Sequence, residues 1–396
     1  MKRLPLLVAI TLVCLGLSHS ECPQGWFGSS CQYKCHCTLN KCEPLAGNCL
    51  DGAQCVSGWF GPACQYVDLA QNHEIFERNS AVRYVTDKDD TTCITSEKLV
   101  LKFRVPLHLS WFRVHVKEPY YLNKLKIQLQ LRNNSSLHAC EKYRTALVSE
   151  TAQDIHCDLD NFVKRVILTG ETLQSICSIY ISGGRNVALK QKTAQTQSRY
   201  FHMGSQAFNA VDGDTTGSQV KGTCAHTVYR NEEPTWNVTL SHPAAVNRYV
   251  IYRWNDGYYD LWDETLQSLI LRSYDPAGAE VFRFTGTPRN RLDFYTVTSV
   301  ATQIQTVSIS AFRKKTDDDK PDPITLCEVE VYGDSACKPG LYGRECEHKC
   351  NCSDTKATCF VSTGGCPSGC PPGYQGEDCS QGSTASPASS SPSTRC

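Results

Sequence analysis

The chain has 396 residues, with 40 Lys plus Arg against 40 Asp plus Glu and a formal net charge of zero. That balance argues against a general nucleic-acid binder, which carries a basic excess, and a 40% hydrophobic, 20% charged composition argues against global disorder. Its 24 cysteines are out of place in a reducing compartment.

Lys2 and Arg3 precede an apolar run from Leu4 to Leu17, and the small residues of Ser18-His19-Ser20 follow. Residues 1–20 read as a signal peptide cleaved after Ser20, which implies a secreted chain. The run is too short for a membrane-spanning helix. Residues 21–65 then hold eight cysteines, from Cys22 to Cys64, at steps of 9, 4, 2, 5, 7, 6 and 9. Residues 335–380 hold eight more, from Cys337 to Cys379, at steps of 9, 4, 2, 7, 7, 4 and 9. The shared steps mark an internal repeat. Modules this small cannot fold on burial alone, so each is expected to carry four disulfides. The closing loops, Gly58-Trp59-Phe60-Gly61 and Gly373-Tyr374-Gln375-Gly376, each predict a tight turn around one packed ring. Zinc at Cys35-His36-Cys37 is disfavoured by the oxidising compartment.

The stretch between the modules reads as β structure. Leu125, Ile127, Leu129 and Leu131 alternate with Lys126, Gln128 and Gln130, the pattern of a half-buried strand. Val114 and Val116 flank His115 in the same way, and Val281 to Phe284 and Ile304 to Ile309 are similar. No long segment of helical period interrupts them, so the expected fold is all-β, with two tandem sandwiches. The division falls at 184, giving sandwiches over 66–183 and 184–334. Ile176-Cys177-Ser178-Ile179-Tyr180-Ile181 is echoed by Leu326-Cys327-Glu328-Val329-Glu330-Val331, and Asp87-Lys88-Asp89 by Asp212-Gly213-Asp214. The first sandwich therefore reads as a degenerate copy of the second. Residues 381–396 are rich in Ser, Thr and Pro and read as a solvated, O-glycosylated tail.

Glycosylation sequons fall at Asn133 or Asn134, at Asn237 and at Asn351. Cys93, Cys140, Cys157 and Cys177 imply two bridges in the first sandwich, of open pairing, and Cys396 is left over as a candidate for a bond between chains. No motif of a metalloprotease, a phosphate loop or a serine hydrolase occurs, and the chain is not read as an enzyme.

The two cysteine-rich segments resemble the laminin-type EGF-like repeats of multiple-EGF and scavenger receptors. The second sandwich resembles the F-type lectin family (fucolectin, tachylectin-4 and pentraxin-1 domains) within the wider discoidin-like jelly-roll fold. Four motifs carry that resemblance: Asn186-Val187-Ala188-Leu189, Asn209-Ala210-Val211-Asp212-Gly213-Asp214, Gly222-Thr223-Cys224-Ala225-His226-Thr227, and Leu326-Cys327-Glu328-Val329-Glu330-Val331. It implies a structural calcium held by Asn209, Asp212, Asp214, Thr223, the Cys327 carbonyl and Glu328, with Cys224 bonded to Cys327. These are the hard oxygens that calcium takes. An Asp-Gly hairpin turn is the competing reading of Asp212-Gly213-Asp214. In the first copy Ser178 stands where the glutamate would be.

The resemblance also implies a sugar site built from a histidine, an arginine and a second basic residue. Lys221 occupies the histidine's place, Arg253 matches the arginine with Asp256 after it, and the second basic position falls near Asp260 or Leu261. Arg supplies a fixed fork of donors for hydroxyls. Trp254 and Tyr258 could stack on a sugar ring, or Trp254 and Trp262 could cap the core. The implied function is a secreted, calcium-stabilised glycan-recognition protein of innate or scavenging type, with glycans or glycoproteins on cell or microbial surfaces as partners. The alternative is an adhesion or receptor ectodomain that binds protein on a scaffold whose sugar site has decayed.

Overall fold

The computed structural model describes residues 22–71, 75, 80–132, 136–140, 143–157, 161–196, 205–217, 222–227, 233–252, 269–286, 294–311 and 323–382. The fold is all-β, with two tandem sandwiches between two small disulfide-rich modules. Among the described residues, no helix is long and apolar enough to cross a membrane.

Each small module is two short hairpins laced by four bridges. The bridges are Cys22–Cys31, Cys35–Cys42, Cys37–Cys49 and Cys55–Cys64 in the first. The second has Cys337–Cys346, Cys350–Cys359, Cys352–Cys366 and Cys370–Cys379. Numbered within each module, the cysteines pair in the same order. The outer loops also repeat: Cys31, Cys64, Cys346 and Cys379 are all left-handed, at φ 52°, 48°, 55° and 56°.

The first sandwich contains β1 (Lys98–Leu107), β2 (Phe112–Val116), β3 (Lys126–Leu131), β4 (Leu137–Ala139), β5 (Tyr143–Ser149), β6 (Ala152–Cys157), β7 (Val163–Thr169) and β8 (Ile176–Ile181). One antiparallel sheet runs β8-β2-β6-β5 and the other β1-β7-β3-β4. Leu99, Leu101 and Phe103 on β1 and Ile127, Leu129 and Leu131 on β3 alternate inward, as a period of two requires. They meet Val114, Val116, Ile155 and Ile179 of the facing sheet. Cys93–Cys177 and Cys140–Cys157 resolve the pairing that the sequence leaves open.

The second sandwich contains β9 (Arg185–Asn186), β10 (Lys192–Gln195), β11 (Ala225–His226), β12 (Thr235–Tyr252), β13 (Leu269–Tyr274), β14 (Glu280–Gly286), β15 (Phe294–Ala311), β16 (Thr325–Leu326) and β17 (Glu328–Ser335). Its main sheet runs β9-β17-β12-β15-β13-β14, with β10 also on β12, and β11 pairs β16. The long strands β12 and β15 shift register between Thr239 and Ala244, around Pro243, which has no amide to donate to a ladder. Both halves of β12 reach one core, Trp236, Val238 and Leu240 from one side and Tyr249 and Ile251 from the other.

The modules close against the sandwiches and each other. Tyr33 of the first donates to Glu345 of the second at 3.1 Å, and the Arg344 guanidinium lies over the Phe27 and Tyr33 rings at 4.7 and 4.8 Å. Ser362 of the second module donates to buried Asp154 at 3.0 Å, and Phe360 packs on His156 with ring centres 4.3 Å apart.

Candidate functional site

The four motifs of the second sandwich lie scattered over about 145 residues but bond to one another in one corner. Asn186 Oδ1 accepts from the amides of Ala188 and Val331, each at 3.1 Å. Asn209, buried in a short 3-10 helix over Ala207–Val211, donates through Nδ2 to the Gly222 carbonyl at 2.7 Å. Cys224–Cys327 joins the start of β11 to the residue before β17. Glu328 is fully buried there, and both of its carboxylate oxygens accept from the Gly213 amide at 3.1 and 3.2 Å.

The Asp212–Asp214 loop is shaped by its own carboxylates. Asp212 Oδ1 accepts from the Asp214 amide at 2.8 Å, and Asp214 Oδ1 from the Thr216 amide at 2.9 Å. Gly213 is left-handed at φ 86°, with the Trp26 ring 3.0 Å from where a Cβ would stand. The first small module reaches into this loop: Lys34 donates to the Gly213 carbonyl at 2.5 Å, and Lys190 lies 4.7 Å over the Trp26 ring.

Burial raises the Glu328 carboxyl well above its ordinary range, and the neighbouring carboxylates Glu330 and Asp212 add to this, against the Gly213 amide. Burial also raises Asp212, opposed by the Asp214 amide and by Lys190 and Lys34. A buried carboxylate without a close cationic partner favours its neutral form, and a bound cation reverses that preference. The hard-oxygen donors Asn209, Asp212, Asp214, Thr223, the Cys327 carbonyl and Glu328 have the chemistry of a calcium set. The carboxylate oxygens of Asp212, Asp214 and Glu328 do not all lie within 4.8 Å of one another, and the three-residue clusters that meet this distance among the described residues are cysteines of the disulfides.

The first sandwich repeats the loop. Asp87 Oδ1 accepts from the Asp89 amide at 2.8 Å, and Asp89 Oδ1 from the Thr91 amide at 2.9 Å. Lys88 takes the glycine's place, left-handed at φ 73°. The bridges match as well: Cys93–Cys177 spans 3.8 Å between Cα atoms and Cys224–Cys327 spans 3.9 Å. Ser178 replaces Glu328, so this copy lacks the buried carboxylate.

The sugar-binding candidates Lys221, Arg253, Trp254, Asp256 and Tyr258 lie outside the described residues, as do Asn133, Asn134 and Cys396. Asn237 sits mid-sheet on β12, opposite Ala194 and Ser308. Asn351 is exposed, with Nδ2 3.5 Å from the Cys379 carbonyl.

The buried cations Arg113, Arg185 and Arg248 escaped the sequence reading. Arg248 on β12 is 9% exposed, and its guanidinium lies 4.3 Å over the Tyr332 ring. Its Nε has no hydrogen-bond partner. The beginnings of a signal exist, since Asn247-Arg248 interrupts an apolar strand, but the sequence does not show which way Arg248 points.

No protein-family model matches the chain, and no curated protein does. Among solved structures, the chain is similar to the lectin domain of Lectinolysin complexed with Lewis B antigen, at 24% identity and TM-score 0.33, covering 38% of this chain and 98% of that one. It is similar to a Streptococcus pneumoniae fucose-binding module at 23% identity and TM-score 0.31, covering 37% and 96%. It is also similar to an F-lectin (fucolectin) from striped bass (Morone saxatilis) serum, at 18% identity and TM-score 0.31, covering 65% and 93%. Likenesses of this order fix neither family nor ligand.

Proposed function

We propose that the chain is an extracellular glycan-recognition protein whose second sandwich is stabilised by calcium. The observation that carries this reading is the mutual bonding of the four lectin-like motifs through Asn186, Asn209, Gly213–Glu328 and Cys224–Cys327. In this reading Asn209, Asp212, Asp214, Thr223, the Cys327 carbonyl and Glu328 hold the ion. Calcium supplies charge there that fixes the loop; it takes no part in a reaction. Arg253, aided by Lys221 and Asp256, grips sugar hydroxyls, and Trp254 and Tyr258 offer ring faces. The extracellular setting is supported by the disulfides that close both modules and both sandwiches, which persist in oxidising compartments.

The test is a glycan array probed with the mature chain, in calcium and in EDTA, beside Arg253→Ala. Calcium-dependent binding to a defined neutral sugar, lost in the variant, is expected. A second reading follows from Lys221, which stands where the family keeps its histidine: a protein-binding ectodomain on the same scaffold. A silent array, with calcium still raising Tm, favours that second reading.

A further inference from the structure

A cavity of about 470 Å³ opens between the first small module and the outer face of the second sandwich. Arg248, Tyr252, Glu330 and Tyr332 line it from the sandwich, and His36 and Trp59 from the module. Its origin is a bulge. Up to Val246, even-numbered residues of β12 face the core; the register then shifts between Val246 and Arg248, and Tyr249 and Ile251 take over the inward positions. The extra residue turns Arg248, Val250 and Tyr252 outward. Trp59 and His36 stack face to face, ring centres 3.5 Å apart, and close the other side.

Arg248 is the unusual element. It is nine-tenths buried, its Nε is unpartnered, and it forms no ion pair among the described residues. The carboxylate nearby is otherwise engaged: Glu330 accepts from Tyr332 Oη at 3.0 Å. A buried guanidinium is normally matched by an anion, and its planar fork fits a carboxylate with two parallel hydrogen bonds. The cavity has the size of small-molecule sites. Aromatic faces at Trp59 and Tyr252 suit the apolar side of a sugar ring, and Asn186, Thr215 and Thr296 offer hydrogen bonds to hydroxyls. Arg248 and Lys34 against Glu330 leave the lining with a single net positive charge, which matches a singly charged acid better than a doubly charged phosphate.

We propose that this cavity binds a carboxylate-bearing saccharide residue, its carboxylate taken by Arg248 and its ring laid against Trp59 and Tyr252. The proposal stands whether or not Arg253 binds neutral sugar.

The test is isothermal titration of the full mature chain with the methyl glycosides of N-acetylneuraminic acid and glucuronic acid, beside the neutral methyl ester of each. One or both acids are expected to bind, and the matching ester at least tenfold more weakly. Arg248→Lys should weaken the acid at least tenfold. Thr296→Trp changes an exposed residue at the cavity and should abolish binding while Tm is unchanged. Neither substitution should alter neutral-glycan binding, so failure here is distinguishable from failure at Arg253. Equal binding of acid and ester, binding of acetate as tight as that of the sugar acids, or no binding of either acid by a chain that melts normally would each overturn the proposal.

Discussion

The Glu328 carboxylate rests on the Gly213 amide, 115 residues away in sequence, with its two oxygens 3.2 and 3.1 Å from one nitrogen. Burial and the neighbouring carboxylates Glu330 and Asp212 disfavour its charged form, against the Gly213 amide and Lys34. Calcium should therefore raise Tm, and Glu328→Gln should remove most of the rise while leaving the calcium-free Tm equal or higher. At 100 times the dissociation constant the gain is roughly 2.7 kcal/mol. Thermal melts in calcium and in EDTA measure it, and an equal rise in both proteins would refute this ion set.

The bridge that positions this corner makes a second prediction. Replacing Cys224 and Cys327 together by alanine should lower stability by about 2–5 kcal/mol. It should also weaken calcium binding, because Thr223 and Glu328 adjoin the two sulfurs. Replacing Cys140 and Cys157 should lower stability without touching the calcium response.

Asp334 sets a pH dependence. Burial raises its carboxyl to about 6 from 3.8, with Arg185 opposing. A carboxyl raised on folding favours the fold below its unfolded pKa, and that advantage fades as pH rises through the folded value. Stability should fall between about pH 4 and 6 and level off above, by roughly 1–2 kcal/mol for a half-buried group. Asp334→Asn should flatten this part of the curve in urea titrations across that range.

Arg113 and Asp154 form a buried two-pronged pair on β2 and β6, at 2.7 and 2.9 Å. Asp154→Ala strands the guanidinium and should cost about 3–5 kcal/mol by urea unfolding. Replacing both residues with apolar ones of similar volume should recover most of that loss. If the double variant is no better than the single one, the pair itself matters more than the stranded charge.

Gly333 has no room for a methyl group, since a Cβ would stand 2.3 Å from the Ala245 carbonyl oxygen across the β17–β12 ladder. Gly333→Ala should destabilise by about 1–3 kcal/mol. Gly382, with open space around it, serves as the neutral control.

Strands such as β3 were legible because Ile127, Leu129 and Leu131 face one core and the lysine and glutamines between them do not. The acidic loop was legible because its shape is local: each aspartate bonds an amide two residues on. Arg248 was not, because a single bulged residue inverts the inward and outward faces of β12, and the polar pair Asn247-Arg248 does not show which way Arg248 turns. The cavity it lines was hidden further, since the opposite wall comes from Trp59 in another module. The docking of Phe360 on His156 was hidden for the same reason: it joins surfaces about 200 positions apart.

The contact from Tyr33 to Glu345 spans 312 residues. At ordinary elongation rates the ribosome needs roughly 15–60 s to cover that distance. Through that interval the first module has its own bridges but no seat for Tyr33, and the Phe27 and Tyr33 rings lack the guanidinium that later covers them. Oxidation of the first module's four bridges can therefore be complete long before the molecule closes. A variant slow to form the second module would leave this aromatic face uncovered for longer, a surface of the kind chaperones recognise.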